Sequence, residues 1–318
     1  MKSQNVYIGN SSCNGVYHYK LVQGSLISFN GFDGVEKCTY LCKSRNIIYG
    51  VIEQPEGQIF SYNTDNNTIN KVQVEGNGPC HISVSDDRNY LCVSNYTDGL
   101  KQIFKIKLDG TIGERIFRDV QDTKISHAHF MKIYKKYLYS VDLGTGCLDM
   151  YNLEYGVKLV DRVNFGDKIE PRHLCFFGDY LFAVTEKSCR IYSLKLEEKK
   201  ISIMGYKDLL PDCIKTEKNY TGCAVKISRD GKYIYTTIRE HNSISVFKNT
   251  NGILKLVQNV SSSGELPWDI SLDSKEKYVL IANASSNEVC VYKRNKYTGK
   301  IKFYSKSNMK APSCIVLD

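Results

Sequence analysis

Short apolar runs separated by turn residues follow one another along the whole chain. One unit has apolar runs at residues 78–84, 90–93 and 102–106, with a turn at 86–88. Tyr, Val, Ile and Phe are frequent in these runs, and runs of this kind predict β-strands. No helical period is sustained anywhere, and residues 207–218 are the one candidate for a short helix or a long loop, which could cover one end of the molecule.

The same unit recurs along the chain, which predicts a repeat architecture. The units can be aligned on one equivalent residue at the start of the first run of each unit, which we call the lead position. Successive lead positions lie roughly 43 to 51 residues apart, close to the spacing of propeller blades. The lead positions are Lys37, Cys80, Ala128, Arg172, Cys223, Trp268 and Ser313.

The two ends of the chain complete the last unit. Residues 311–317 form only a first run, and residues 6–9 and 15–19 look like the next two. Pairing of these terminal strands in one blade would close the ring and leave no open edge between the first and last blades. We therefore predict an all-β protein, a seven-bladed β-propeller of four-stranded blades, in a single domain of residues 1–318.

Composition and charge narrow the class of partner. The chain has 318 residues, is 42% hydrophobic and 24% charged, and contains 23 tyrosines, which favour strands. Its net charge of +9 suits an anionic partner, but Lys and Arg are spread along the sequence and the nearest basic run is only residues 132–136. A solvated basic surface is the simpler interpretation, so we expect no nucleic acid.

The cysteines and the N-terminus indicate the compartment. The twelve cysteines include no Cys-x-x-Cys pair, and many lie inside apolar runs, as free thiols do in a reducing cytosol. The first residues, MKSQNVYIGN, lack the apolar segment of a signal peptide, and no apolar run approaches the length of a membrane span. We expect a cytoplasmic protein without membrane contact, as a monomer or weak homodimer.

Ionisable side chains recur at equivalent positions of neighbouring units. The repeat alignment places three histidines in one register of three successive blades, one of them beside an arginine. It places a carboxylate and a second arginine at the ends of second strands in neighbouring blades. Because these positions lie near the mouth of a propeller's central channel, we expect one site there. Its predicted members are His81, His129, His173, Arg172, Glu186 and Arg239.

Several motifs, in this order and spacing, resemble the seven-bladed propeller lactonases. These are Gly-Pro-Cys-His-Ile-Ser-Val from Gly78, Val-Ser-Asn-Tyr from Val93, His-Ala-His from His127, Pro-Arg-His-Leu from Pro171 and Ser-Arg-Asp-Gly-Lys-Tyr from Ser228. The family is typified by bacterial 6-phosphogluconolactonase, and the fungal 3-carboxy-cis,cis-muconate lactonising enzyme is a more distant relative. The resemblance covers nearly the whole chain and implies a hydrolase that opens a small anionic lactone.

The resemblance also implies catalytic residues. The His-Ala-His pair of the family is matched by His127 and His129, and the arginine of its Pro-Arg-His motif by Arg172. Its glutamate after the following strand is matched by Glu186, and its arginine one blade further on by Arg239.

Three departures from the family pattern leave the substrate open. Thr185 stands where the family has Asn, Ile-Arg-Glu around Arg239 replaces Asn-Arg-Gly, and Leu-Pro-Trp-Asp around Trp268 lacks the arginine of Trp-Pro-Arg-Asp. Glu53 resembles a further recurrent position of the family. The residues that we expect to bind substrate are His81, His173, Trp268 and Glu53.

Lactone opening requires an activated water and stabilisation of the carbonyl oxygen as it gains charge. A His or Glu can take the proton of the water, and an Arg can stabilise the oxyanion or hold an anionic group. We assign the base to Glu186 or a histidine, and substrate binding to Arg172 and Arg239. In the simpler structural alternatives, His81 holds a loop, Glu186 and Arg239 form only a salt bridge, Glu53 is structural or faces solvent, and Trp268 is a core residue.

Other chemistries find less support in the sequence. Three histidines could bind zinc, but no acidic cluster accompanies them, so we expect no metal. Gly-x-Gly-x-x-Gly, a phosphate-binding loop and Gly-x-Ser-x-Gly are all absent, so we expect no nucleotide cofactor and no serine nucleophile. Two further alternatives stay open: a lyase that forms or opens a lactone on a carboxylated substrate, and a non-catalytic propeller that binds a ligand or protein.

Overall fold

The computed structural model describes residues 3–53, 57–121, 124–214 and 220–318. Within these residues the chain forms seven four-stranded antiparallel sheets arranged as blades, and one short 3₁₀ helix at Asp212–Ile214. The prediction of a seven-bladed propeller is confirmed. The first blade joins both ends of the chain, because β28 (Pro312–Leu317) pairs with β1 (Gln4–Asn10), followed by β2 (Asn14–Val22) and β3 (Ser25–Glu36).

Each of the other blades contains four strands that follow one another along the chain. The second blade has β4 (Cys38–Ser44), β5 (Ile47–Ile52), β6 (Gln58–Asn63) and β7 (Thr68–Gln73). The third has β8 (Pro79–Val84), β9 (Tyr90–Asn95), β10 (Lys101–Ile106) and β11 (Ile112–Asp119). The fourth has β12 (Ala128–Tyr134), β13 (Tyr137–Asp142), β14 (Cys147–Asn152) and β15 (Lys158–Asn164). The fifth has β16 (Pro171–Phe177), β17 (Tyr180–Thr185), β18 (Arg190–Glu197) and β19 (Lys200–Asp208). The sixth has β20 (Gly222–Ile227), β21 (Tyr233–Ile238), β22 (Ser243–Thr250) and β23 (Ile253–Ser261). The seventh has β24 (Pro267–Leu272), β25 (Tyr278–Asn283), β26 (Glu288–Arg294) and β27 (Ile301–Asn308).

The inner strands of the blades form a closed ring around a central channel. The inner strands β28, β4, β8, β12, β16, β20 and β24 each contact the inner strand of the next blade, all the way round. Apolar clusters fill the space between adjacent blades; in one of them Tyr235 of the sixth blade packs with Ile281 of the seventh, and both are fully buried. Each sheet is covered on both faces, which explains why second strands such as β5 are buried along their whole length.

A β-bulge at the start of each inner strand determines which side chains face the channel. In β8, Pro79 pairs with Asn95 and His81 pairs with Ser94, so that Cys80 is an extra residue. The same shift of register occurs in the other blades. Because a bulge adds one residue to one strand, two successive residues of each inner strand face the channel.

The bulge corrects the predicted alignment of the histidines. In β12 the extra residue is His129, which therefore aligns with Arg172, while Phe130 aligns with His81 and His173. The prediction that His81, His129 and His173 share one register is wrong. The alignment rests on the pattern of apolar residues, and this pattern does not show where one extra residue is inserted at the end of a strand.

The second blade is corrected in the same way. Its bulged residue is Thr39, between Cys38 and Tyr40, and not Lys37. Lys37 precedes the strand and has a left-handed backbone (φ 44°), as does Gly78 (φ 65°) at the equivalent place in the third blade.

The stretch 207–218, predicted as a short helix or a long loop, contains one short helix within its described part. Its beginning belongs to β19, and the 3₁₀ helix Asp212–Ile214 follows. Residues 215–218 lie outside the described residues, and with them the predicted cover over one end of the molecule. Across the described ranges, no helix has the length and apolarity needed to cross a membrane.

Candidate active site

Two rings of side chains surround a cavity of about 500 Å³ at one mouth of the channel. The bulge ring consists of the bulged residues, and the exit ring consists of the first residue after the second strand of each blade. Exit-ring amides donate to the carbonyl of the residue that precedes the inner strand, as from Glu186 to Glu170 (2.7 Å) and from Arg239 to Thr221 (2.9 Å). The cavity is lined by Thr39, Cys80, His129, Arg172, Trp268 and Ser313 of the bulge ring, and by Ser11, Glu53, Tyr96, Glu186, Arg239 and Ala284 of the exit ring.

Glu186 joins the two arginines of the site. One of its oxygens accepts a hydrogen bond from Nε of Arg172 (3.0 Å), and the other lies 2.6 Å from an Nη of Arg239. The Arg172 side chain is 4% exposed and that of Arg239 11%, so the group is largely removed from water. The salt bridge foreseen as an alternative is therefore present, and it lies in the cavity wall.

Each arginine keeps N–H donors that can bind a ligand. Arg172 Nη1 donates to the Cys223 carbonyl (3.0 Å), and Arg239 Nε donates to the Thr221 hydroxyl (2.9 Å). Within the described residues, Arg172 Nη2 and Arg239 Nη1 have no hydrogen-bond partner. A guanidinium with free donors beside a cavity is suited to carboxylate, phosphate or a developing oxyanion.

Trp268 lies under both guanidinium groups. Its ring centroid is 5.9 Å from the guanidinium carbon of Arg172 and 5.3 Å from that of Arg239, within the range of cation–π attraction. The residue is only partly buried and lines the cavity. Trp268 is thus placed at the mouth, and the alternative of a core residue is excluded.

His129 is the imidazole that reaches the cavity from the bulge ring. It is 7% exposed, and its buried Nδ1 has no hydrogen-bond partner among the described residues. Burial, followed by the charge of Arg172, holds its pKa well below the ordinary value, so the ring is neutral near pH 7. A neutral imidazole with an unused nitrogen can accept or donate one hydrogen bond to a ligand.

The other three predicted histidines occupy different places. His173 lies deeper in the cavity, with its ring centroid 5.1 Å from that of His129. His127 is not among the residues that line the cavity; it stacks on Tyr96, which does line it (4.6 Å between centroids), and its Nδ1 is 2.8 Å from the Tyr96 carbonyl oxygen. His81 does not line this cavity but the cavity at the opposite end of the channel, so the structure does not place it at the mouth where the sequence pattern predicted it.

Glu53 lies in the same cavity and is not paired with a cation. It is partly buried, and in the described part of the chain no Lys or Arg lies within ion-pair distance of it. Burial raises the pKa of its carboxyl, and the neighbouring Thr39 hydroxyl lowers it by less, so the pKa remains above its ordinary value. Its two carboxylate oxygens are therefore more available to a ligand or water than those of Glu186.

No arrangement of three or more His, Cys, Asp or Glu side chains that could hold a metal ion occurs within residues 3–53, 57–121, 124–214 and 220–318. The site as described is organised around guanidinium, carboxylate and imidazole groups.

Comparison with known proteins assigns the family. Residues 5–317 match the family described as "Lactonase, 7-bladed beta-propeller". The chain belongs to this family. A protein of Formosa agariphila named 6-phosphogluconolactonase is 27% identical, over 90% of this chain and 89% of the relative. A protein of the same name from Bacillus subtilis is 28% identical, over 83% of this chain and 82% of the relative.

The solved structures agree on the fold of this propeller lactonase. A protein from Lactobacillus plantarum superposes with a TM-score of 0.92 over 99% of both chains, at 24% sequence identity. The resemblance inferred from the motifs is confirmed at the level of the family.

Several cavity residues of this propeller lactonase were not predicted as site residues. Tyr96 occupies the exit position of the third blade, equivalent to Glu186 and Arg239 in theirs. Because the repeat alignment places Tyr96 at the position of Glu186 and Arg239, Tyr96 could have been predicted as a site residue from the sequence. Thr39 could not, because the apolar pattern does not show which residue of the second blade is bulged.

Proposed function

We propose that the chain hydrolyses the lactone of a small anionic sugar acid, with 6-phosphoglucono-δ-lactone as the first substrate to test. The observation that carries this proposal is the convergence of Arg172, Arg239, Glu186 and His129 on one cavity of about 500 Å³. The two relatives named 6-phosphogluconolactonase support the choice of substrate. A cavity of this size can take a phosphorylated six-carbon lactone.

The arginines hold the anion and polarise the lactone carbonyl. The free Nη atoms of Arg172 and Arg239 are donors that Glu186 orients by its two ion pairs. Donors held in place before the reaction stabilise charge that develops on the carbonyl oxygen. Trp268 offers a flat apolar surface next to both groups, on which one face of the sugar ring can rest.

Glu53 is the general base in this proposal, in place of Glu186 or a histidine. Both oxygens of Glu186 already accept from arginines, whereas those of Glu53 make no ion pair with any residue that the structure describes. A carboxyl in a partly desolvated position is also better matched to proton transfer near neutral pH.

The reaction then proceeds in two proton-balanced steps. Glu53 takes a proton from water while the water oxygen attacks the lactone carbonyl carbon, whose oxygen becomes an oxyanion facing the arginines. When the tetrahedral intermediate collapses, the ring C–O bond breaks and the protonated Glu53 returns the proton to the leaving alkoxide oxygen. The products are the free acid and a hydroxyl group, and Glu53 is restored.

The lactonase proposal is tested by hydrolysis of 6-phosphoglucono-δ-lactone and of glucono-δ-lactone, each corrected for spontaneous opening. Arg239→Met should lower kcat/KM for the phosphorylated lactone by about 10- to 100-fold, the value of one or two charged hydrogen bonds. If Arg239 holds the phosphate, the loss is confined to the phosphorylated lactone. If it holds the oxyanion, both lactones are affected equally.

The control for this experiment is Lys187→Met. Lys187 is the residue after Glu186, its side chain is 58% exposed, and it pairs with Glu170 away from the cavity. Its loss should leave both rates within a factor of about 2, since exposed pairs contribute little. Wild-type turnover of neither lactone above the spontaneous rate would contradict the proposal. It would favour the alternatives of a lyase on a carboxylated substrate or a binding propeller.

We also propose the cytoplasm as the compartment of the reaction. All twelve cysteines lie in the described residues and all are free thiols. Disulfides form in oxidising compartments and are rare in the cytosol, which supports this placement. The expectation of a monomer or weak homodimer stays a prediction.

A further inference from the structure

A second cavity, of about 480 Å³, opens at the opposite end of the channel. Seven side chains surround it, one from each inner strand and each three residues beyond the bulge. They form the far ring: Cys42, Ser83, Lys132, Cys175, Lys226, Ser271 and Val316. A single layer of side chains that includes Tyr40, His81 and His173 lies between the two cavities, and Tyr40 lines both.

The walls of this far cavity carry an excess of positive charge. Three lysines line it, Lys43, Lys132 and Lys226, against a single carboxylate, Asp86. Lys43 pairs with Asp318 (2.5 Å), and Lys132 is 3.9 Å from Asp86, at the limit of an ion pair. A concave surface with an excess of one sign of charge concentrates counter-ions.

Lys226 is the exception among these lysines. It is partly buried, and its ammonium group has neither an ion pair nor a hydrogen bond within the part of the chain that the structure describes. Asp269, in the layer above, feels its charge but accepts instead from the Ile315 amide (2.8 Å). An ammonium group that is partly removed from water without a partner favours uptake of an anion.

The two far-ring lysines, Lys132 from the fourth blade and Lys226 from the sixth, line the same cavity. Burial lowers the pKa of His81, and the charges of Lys226 and Lys132, one from the sixth blade and one from the fourth, lower it further. Both ammonium groups therefore lie within electrostatic reach of a single imidazole. Ser271, next to Lys226 in the ring, has a hydroxyl group that makes no hydrogen bond to the described residues and can donate to the same ligand.

We propose that the far cavity is a binding site for a small oxyanion, inorganic phosphate or the phosphate of a monoester, held by Lys132 and Lys226. Phosphate oxygens accept from ammonium and hydroxyl groups, and each far-ring lysine has three donors to offer. This site is separate from the lactonase cavity and does not depend on the function proposed for that cavity.

The test is the rate at which an amine-specific reagent modifies each lysine, read by peptide mass spectrometry, with and without inorganic phosphate. Phosphate should slow modification of Lys132 and Lys226 several-fold. It should leave Lys135 and Lys136 unchanged, since these lie in the exposed turn that follows β12. Equal rates at Lys132 and Lys226 with and without phosphate would overturn the proposal.

Two variants separate the far cavity from the lactonase cavity. The protection should persist in Arg239→Met; its loss there would show that phosphate acts through the lactonase cavity and would overturn the proposal. The second readout is the rise in unfolding temperature that phosphate causes. Part of this rise should persist in Arg239→Met, and that part should be absent in Lys132→Met/Lys226→Met. The control is Lys135→Met/Lys136→Met, and an equally large rise in the two double variants would contradict the site.

The source of the oxyanion is distinguished by the probe. Protection of Lys132 and Lys226 by inorganic phosphate alone indicates a site for the free ion. Protection by 6-phosphogluconate as well indicates a site for a phosphate monoester. Both results support the oxyanion site, and protection by neither overturns it.

Discussion

Replacing Glu53 with glutamine should lower kcat for lactone hydrolysis by about 10²- to 10⁴-fold, the contribution of a positioned general base. Glutamine keeps the size of the side chain and can still hydrogen-bond, but it cannot take the proton of the attacking water. KM should stay within a few-fold of the wild-type value, because Arg172, Arg239 and Trp268 still line the cavity. The measurement is steady-state hydrolysis corrected for spontaneous lactone opening.

The pH profile gives a second readout of the same assignment. The base must be ionised to act, and burial raises the pKa of Glu53 above its ordinary value. The wild-type rate should therefore fall as pH drops through a value above about 4.3, the pKa of an unperturbed Glu. This limb should disappear in Glu53→Gln. Glucono-δ-lactone should be used, because a substrate phosphate titrates near pH 6 and would add its own limb.

Two further variants make the prediction falsifiable. Glu170→Gln is the matched control, because this carboxylate lies near the mouth but pairs with Lys187 and does not line the cavity. It should keep nearly full activity and the same acid limb. If His129→Asn lost the acid limb while Glu53→Gln kept both the limb and the rate, His129 and not Glu53 would be the base.

Replacing Asp149 with leucine should lower the free energy of unfolding by about 3 to 5 kcal/mol, the cost of breaking a buried ion pair from one side. Asp149 is 1% exposed and accepts from Lys101 Nζ of the neighbouring blade (2.8 Å) and from Arg162 Nε (2.6 Å). Lys101 is fully buried, and its other carboxylate neighbour, Asp119, is 3.8 Å away. The measurement is urea unfolding at neutral pH, with the midpoint and slope fitted separately.

A double-mutant cycle identifies the cause of this loss. In Lys101→Met, Asp149 keeps Arg162, so the loss should be smaller than in Asp149→Leu. In Lys101→Met/Asp149→Leu the buried ammonium is gone, and much of the stability should return. A double variant no more stable than Asp149→Leu would show that the loss comes from packing and not from an unpaired charge.

The effect of Asp149 should also depend on pH with a defined sign. Burial alone would raise the pKa of Asp149, but the hydrogen bond from Arg162 and the charge of Lys101 outweigh it and hold the pKa below its ordinary value. Its contribution is thus present above about pH 3.9, the unfolded value, and is lost as pH falls through the lower folded pKa. The difference between wild type and Asp149→Leu should shrink over that acidic range.

Much of the candidate site could be predicted because, in a repeat protein, residues at equivalent positions of different repeats lie at equivalent places in the fold even when they are far apart in sequence. Glu186 and Arg239 follow the second strands of neighbouring blades, so the period alone places them at one mouth of the channel. The same reasoning applies to Glu53, although its separation from the arginines and its raised pKa depend on burial that the sequence does not contain. The place of His81 could not be predicted from register, because His173 occupies the same register and lines the mouth cavity, whereas His81 lines the cavity at the other end.

The amino-acid sequence by itself determined the fold: strand-length apolar runs at a regular period can bury their faces only by stacking as blades, and the split terminal unit closes the ring. It also determined which residue types reach the mouth, since the period repeats their positions. Only the tertiary structure decided how these groups pair and which cavity each side chain faces. Glu186 is held between two arginines, Glu53 is left without a cation, and Lys226 has no ion-pair partner within the described residues. These outcomes depend on a one-residue bulge and on distances across the channel, which a one-dimensional pattern of apolar and polar positions does not record.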